Sequence, residues 1–192
     1  MTFKILKTDF NKHTDESLMQ AIQNGNCKAF DELYIRYNER IYYYFYRMLG
    51  HKHQIAEDFV QDIFVKIIDK PHYFDSKRKF TTWIFSIAHN MCKNEYRNRQ
   101  VRSIVNSEDN PDRFIYSEEK VTNNSEKTVN KIFLELNKMD ESHKTAFLLK
   151  YREGFTIEEI SEIMELPEGT IKSRLFYARK ILKKQLTQTS TL

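Results

Sequence analysis

The chain has 192 residues, 40% hydrophobic and 14% aromatic, with only four glycines and three prolines and a formal net charge of +4 at pH 7. That length suits one large or two small domains, and the scarcity of turn residues argues against a β-sandwich. The charge permits contact with phosphates without the density of a basic tail. No apolar run reaches a membrane span and no signal peptide opens the chain, so a cytoplasmic protein without membrane insertion is expected. Two cysteines, Cys27 and Cys92, lack metal-type spacing and are expected to be buried free thiols in a reducing compartment.

The first zone runs from 14 to 103 and carries four helical patterns. Leu18, Ala21 and Ile22 begin an inward stripe that stops at the Asn24-Gly25 turn signal. Ala29, Phe30, Leu33, Tyr34 and Tyr37 start a second, continuing through Ile41, Tyr44, Phe45, Met48 and Leu49 to a C-cap at Gly50. Val60, Ile63, Phe64 and Ile67 make a third, which ends before Pro71. The fourth begins near Thr81 and carries Trp83, Ile84, Ile87, Ala88 and Met91. This is an all-α bundle with short loops. Between the third and fourth helices, Lys77, Arg78 and Lys79 form a run of three cations directly ahead of a helix start. Such a loop can follow a nucleic-acid strand. Asn90, Lys93, Asn94 and Arg97 then form one polar stripe suited to duplex edge and backbone. Trp83 lies on the apolar stripe and is assigned to the core.

From 104 to 125 apolar periodicity is lost. The segment is polar and locally acidic and reads as a flexible linker.

The last zone, 126 to 186, reads as a second small helical domain. Ile132, Phe133, Leu136 and Met139 lead to Ala146, Phe147, Leu148 and Tyr151, and two more helices follow. Thr156 with Glu159 is a capping-box signature, and Ile157, Ile160 and Met164 supply the inward stripe. Leu166-Pro167 ends that helix, and Pro167 suits the first turn of the next. Ile171, Leu175, Ala178 and Leu182 face inward. Glu168, Gly169, Thr170, Lys172, Ser173, Arg174, Phe176 and Tyr177 are the candidates for an outward, groove-facing surface. Every charge from Ile171 to Lys184 is Lys or Arg, whereas the preceding helix and turn are acidic. A tight helical hairpin whose second helix carries its positive charge outward is how proteins present a helix to the major groove. Gly169 in a first turn suggests close backbone approach to a partner. Arg152 and Lys150 are candidates for clamping the DNA backbone.

Catalysis is not expected. The six histidines include His51-x-His53, which lacks a third ligand at useful spacing. No nucleophile triad, P-loop or dinucleotide-binding glycine pattern is present. No metal, cofactor or small-molecule substrate is expected.

Three stretches in order resemble a bacterial RNA polymerase sigma factor: Ala56-Glu-Asp-Phe-Val-Gln-Asp-Ile-Phe-Val-Lys66, Phe80-Thr-Thr-Trp-Ile-Phe-Ser-Ile-Ala-His-Asn90, and Glu159-Ile-Ser-Glu-Ile-Met164 with Gly169-Thr-Ile-Lys-Ser-Arg-Leu-Phe-Tyr-Ala-Arg179. The two-domain size resembles the extracytoplasmic-function group of the sigma-70 family. Ser161 and His89 depart mildly from the common pattern, the second with a bearing on promoter preference. The resemblance implies two domains, sigma regions 2 and 4. It implies core RNA polymerase as partner, through the β′ clamp coiled coil and the β flap, and promoter DNA. Asp58, Gln61, Asp62 and Val65 match the surface that docks on the clamp. The loop with Phe74, Ser76, Lys77, Arg78, Lys79 and Phe80 matches the one that captures a base flipped from the −10 element and so begins DNA melting. The stripe Asn90, Lys93, Asn94 and Arg97 falls to the −10 element, and the groove face of the last hairpin to the −35 element. The linker matches a segment that threads the active-site and RNA-exit channels. Members of the group are often held by an anti-sigma factor, which makes such a protein a candidate partner. The rival reading is a stand-alone helix-turn-helix regulator, whose amino-terminal half would show βα alternation or a ligand pocket.

Overall fold

The computed structural model describes residues 10–105 and 132–187. The expected linker, from 106 onward, lies outside the described residues. Among those residues every regular element is helical.

A single 3-10 turn at Phe10–Lys12 precedes α1 (Asp15–Gln23), whose first N–H groups are capped by Thr14: its hydroxyl accepts from Ser17 N at 3.2 Å. Asn26 caps α2 (Cys27–Met48) in the same way. The chain then reverses through Gly50 at φ +83°, the left-handed conformation that favours glycine. α3 (His53–Asp69) follows, then a 3-10 turn at Pro71–Tyr73 and α4 (Phe80–Val105). The start of α4 is capped from a distance, because Phe80 N–H donates to Glu16 Oε1 on α1 at 3.0 Å. This contact fixes the cationic loop at its downstream end. At its upstream end the Gln23 side-chain amide donates to the Pro71 and Phe74 carbonyls at 3.0 and 3.1 Å.

The second unit begins with α5 (residues 132–138) and α6 (Glu141–Tyr151), capped by Asp140. α7 (Ile157–Met164) opens with the expected capping box: Glu159 N–H donates to Thr156 Oγ1 at 3.2 Å, and Thr156 N–H donates back to Glu159 Oε2 at 2.9 Å. The turn passes through Glu165 at φ 54°. Pro167 then stands just ahead of α8 (Glu168–Thr187), its carbonyl accepting from Thr170 and Ile171.

The two units are packed together. The buried apolar side chains from Leu18 on α1 to Leu182 on α8 form one continuous cluster. Phe85 of α4 lies edge-on to Phe155, centroids 5.0 Å apart, and the Arg40 guanidinium sits 5.4 Å above the Phe85 ring while reaching Glu153. Lys144 on α6 is almost wholly buried, and its ammonium donates to the Met48 carbonyl at the end of α2, at 3.2 Å, and to the Asn137 amide oxygen. A cation at a helix C-terminus is favoured by the macrodipole, which offsets part of the cost of burial. Burial nevertheless pulls the Lys144 ammonium down to about 8.

Cys92 is buried as expected, but Cys27 is exposed. It lies two residues before Ala29, about 200° around α2 from the start of the buried stripe, and so faces solvent. Lys150 spends its ammonium on the Phe155 carbonyl at 3.1 Å, which leaves Arg152 as the exposed cation of that pair.

Two histidines beside the junction of the units make the fold acid-sensitive. Burial first, then neighbouring cations, lower His51 to about 4 (Lys144, Arg47 and His53 nearby) and His89 to about 4 (Lys93 and Arg174 nearby). An unfolded histidine titrates near ~6.5, so between that pH and about 4 the unfolded chain binds more protons than the folded one. Stability is full above that window and falls as pH drops through it. Glu141, raised to about 7 by burial and Asp140, opposes this only in part because its carboxyl remains partly solvated. Thermal unfolding across the window should show the melting temperature falling with pH, and His51→Gln with His89→Gln should flatten the fall.

Candidate nucleic-acid interface

Phe74 and Phe80 bracket the cationic loop and are buried, at 3% and 0% exposure, with their rings edge-on to each other, and with Phe74 edge-on and Phe80 tilted against Trp83. They are therefore anchors of the loop, and in this arrangement neither offers an exposed face to a base. Asp75 shapes the tip: its carboxylate accepts from Lys77 N–H at 3.0 Å and its carbonyl from Arg78 N–H at 2.9 Å. That Asx-type turn leaves Ser76, Lys77, Arg78 and Lys79 exposed on a short, rigidly rooted hairpin of backbone. Trp83 is a core residue, as its place on the apolar stripe indicates.

Asn90, Lys93, Asn94 and Arg97 are all exposed on α4. Their spacing puts them on one face, so the helix continues the loop's polar surface over two turns. Sequence reasoning passed over Tyr73. It is 73% exposed at the root of the loop, with the Lys70 ammonium 5.4 Å from its ring centre. An exposed aromatic beside a cationic loop is a natural stacking platform for a base. The Pro71-His-Tyr73 turn was its only trace in the sequence.

On α8, Glu168, Gly169, Lys172, Ser173, Phe176 and Tyr177 are exposed and Thr170 is half-buried. Lys172 pairs with Glu168 at 3.2 Å, and Ser173 Oγ donates to the Thr170 carbonyl. Gly169 stands in open space: a Cβ there would meet nothing within 4 Å, so its lack of a side chain serves no contact inside this chain. Arg174 departs from the rest of the face. It is half-buried and lines a cleft of about 200 Å³ between α4, α6, α7 and α8, with His89, Lys93, Tyr96 and Glu141. On α3, Asp58, Gln61, Asp62 and Val65 are exposed on one face. Ile68 (51% exposed), one turn beyond Val65, and Tyr34 (41%), whose ring packs on Phe64 at 4.8 Å, extend that face with apolar surface. Among the described residues no group of three potential ligands is placed to hold a metal ion, and no helix is long and apolar enough to cross a membrane.

An all-helical pair of units, one carrying a polar and basic loop-and-helix surface and the other a helix-turn-helix with a basic outer face, defines a DNA-binding transcription protein. Comparison with known proteins narrows the class. The family pattern of Sigma-70 region 2 matches residues 33–102, and that of Sigma-70, region 4 matches residues 125–182. The chain is 31% identical over 183 residues to the ECF RNA polymerase sigma factor SigW of Bacillus subtilis, covering 88% of this chain and 94% of that one. It is likewise 31% identical over 189 residues to the RNA polymerase sigma-H factor of Pseudomonas aeruginosa, covering 90% and 93%. Among solved structures, the fold resembles the sigma factor RpoE of Bartonella quintana, crystallised with the anti-sigma factor NepR. That match has a TM-score of 0.71 and 24% identity, and covers 83% of this chain and 98% of that one. CnrH in complex with the cytosolic domain of CnrY gives a TM-score of 0.68 at 22% identity, covering 91% and 97%. The chain belongs to the extracytoplasmic-function sigma factors of RNA polymerase. It is a transcription initiation factor whose family binds core RNA polymerase and promoter DNA.

Proposed function

We propose that residues 14–103 bind core polymerase and the −10 element, that 126–186 bind the −35 element, and that the segment between them spans the polymerase. The exposed α3 face of Asp58, Gln61, Asp62 and Val65 meets the β′ clamp coiled coil, and the second unit meets the β flap. Carboxylates and an amide ringed by apolar side chains suit a basic partner helix. The observation that carries this reading is the rooted loop. Gln23 and Glu16 fix its two ends, two buried rings anchor it, and its cations project at the start of α4. Such a loop can hold a displaced strand while Tyr73 stacks on a base and the α4 stripe follows the duplex. The exposed face of α8 enters the major groove, with Lys172 and Ser173 at base edges or phosphates. The factor itself carries out no catalysis and works in the cytoplasm with the polymerase. An anti-sigma factor is a fitting partner, as NepR is for the sigma factor RpoE of Bartonella quintana. The reading as a stand-alone regulator is not favoured, because the amino-terminal unit is a sigma region and lacks βα alternation among the described residues.

The test is run-off transcription on cloned upstream DNA with purified core polymerase. The protein should confer defined start sites that core alone does not use. Gln61→Ala with Asp62→Ala should weaken holoenzyme formation about tenfold, within the range for losing two interface polar groups, as read by titration of labelled protein with core. Normal assembly by that variant would remove the α3 face from the clamp contact.

A further inference from the structure

The cationic loop is already engaged within the molecule. Arg78 donates to Glu162 Oε1 from both Nε (2.8 Å) and Nη2 (2.6 Å), and Lys79 Nζ donates to Glu159 Oε1 at 2.8 Å. Both acceptors lie on α7, the first helix of the helix-turn-helix. Glu159 is held ready for this contact, because its other oxygen accepts Thr156 N–H in the capping box. Its carboxyl is pulled below the usual range first by the Lys79 hydrogen bond and then by that N–H. The two carboxylates are three residues apart on one helix face, so they offer two neighbouring anionic groups to two consecutive cations. Successive phosphates of a single strand would make the same offer. Neither pair is deeply buried: Arg78 and Glu162 are each 42% exposed, and Lys79 is 69% exposed. Pairs of that kind are individually weak and yield to a competing polyanion.

We infer that Glu159 and Glu162 form an internal phosphate mimic, a docking surface on α7 that occupies Arg78 and Lys79 and competes with single-stranded DNA for the loop. The inference rests on the reading of that loop as a DNA-binding element. The closed arrangement also draws Arg174 of α8 into the cleft beside His89 and Lys93, withdrawing a candidate groove contact at the same time. Parting the two units frees both surfaces together, so DNA engagement is coupled to whatever holds the units apart.

The test uses the full-length protein without polymerase and a fluorescein-labelled thymidine dodecamer, read by anisotropy at low salt. Glutamine serves at the capping-box position as glutamate does, so Glu159→Gln preserves the α7 start. Glu159→Gln with Glu162→Gln should bind the oligonucleotide about three- to tenfold more tightly than the unmodified protein, the combined worth of two exposed pairs. Glu158→Gln with Glu165→Gln makes the same change in net charge on the same helix and turn without touching a hydrogen-bond partner of the loop, and should stay within about twofold. Equal affinities for the two double variants would overturn the mimic, provided that adding Arg78→Gln and Lys79→Gln to the Glu159→Gln, Glu162→Gln protein weakens binding. If the quadruple variant binds as Glu159→Gln with Glu162→Gln does, the loop reading itself fails and the mimic falls with it.

Discussion

Reversing the loop's charge, Arg78→Glu with Lys79→Glu, is expected to lower promoter opening by about a hundredfold, at about 1.4 kcal/mol for each of two solvent-exposed like-charge encounters with phosphate. Both residues are exposed and lie outside the core, and the loop's roots at Gln23, Phe74, Phe80 and Glu16 are untouched. The variant gives up the pairs to Glu162 and Glu159 on α7, but each unit should fold normally and, with the α3 face unchanged, assemble with core polymerase within about twofold of the unmodified protein. Permanganate reactivity of thymines near the start site, measured on the assembled holoenzyme, reports opening directly. Loss of reactivity with intact assembly separates the loop's work on DNA from the α3 face's work on polymerase. Unchanged reactivity would take the loop out of melting.

The second large effect concerns stability. Phe85 is fully buried, with Tyr44 at 5.4 Å, Phe155 at 5.0 Å and the Arg40 guanidinium 5.4 Å from its ring. Phe85→Ala should cost about 3–5 kcal/mol in denaturant unfolding, from lost transfer energy and an unfilled cavity. Because the ring bridges α4 and Phe155, two residues before α7, the same change loosens the contact between the two units. Phe176→Ala is the matched control: that ring is 55% exposed on α8, and its removal should shift stability by no more than about 0.5 kcal/mol. If both substitutions cost the same, the junction is not a packed core.

The helices were legible because their ends carry chemistry the sequence displays. Thr156 with Glu159 marks the start of α7, Asn24-Gly25 the end of α1, and Gly50 the break after α2, and the structure uses each for that purpose. The closed packing of the two units was not legible. Periodicity reports which face of a helix is apolar, not which neighbour covers it. The first two turns of α4 are apolar nearly all round, through Trp83, Ile84, Phe85, Ile87 and Ala88. A helix of that kind is covered on more than one side. Phe85 and Phe155 fall outside the stripes that define either unit, yet they join them. Buried charge was equally hidden. Lys144 reads as an ordinary helix-surface lysine, and only the arrival of α6 at the end of α2 shows that its ammonium caps a neighbouring helix. The site residues split along the same line. The stripe Asn90, Lys93, Asn94 and Arg97 follows from spacing alone and lies exposed on α4. The roles of Phe74 and Phe80 depend on the fold around them, which turned both rings inward.

Where each unit sits on DNA when polymerase is present bears most directly on the account. Cys27 is exposed and would first be replaced by serine. With Cys92 buried, a cysteine introduced at Ser76 in the loop or at Ser173 on α8, both exposed positions, is then the one accessible thiol and carries a tethered iron chelate that cleaves nearby DNA. In the holoenzyme on a promoter found by run-off, the Ser76 position should cut around −10 and the Ser173 position around −35. Overlapping cuts from the two positions, or cuts that appear equally without core polymerase, would contradict the account.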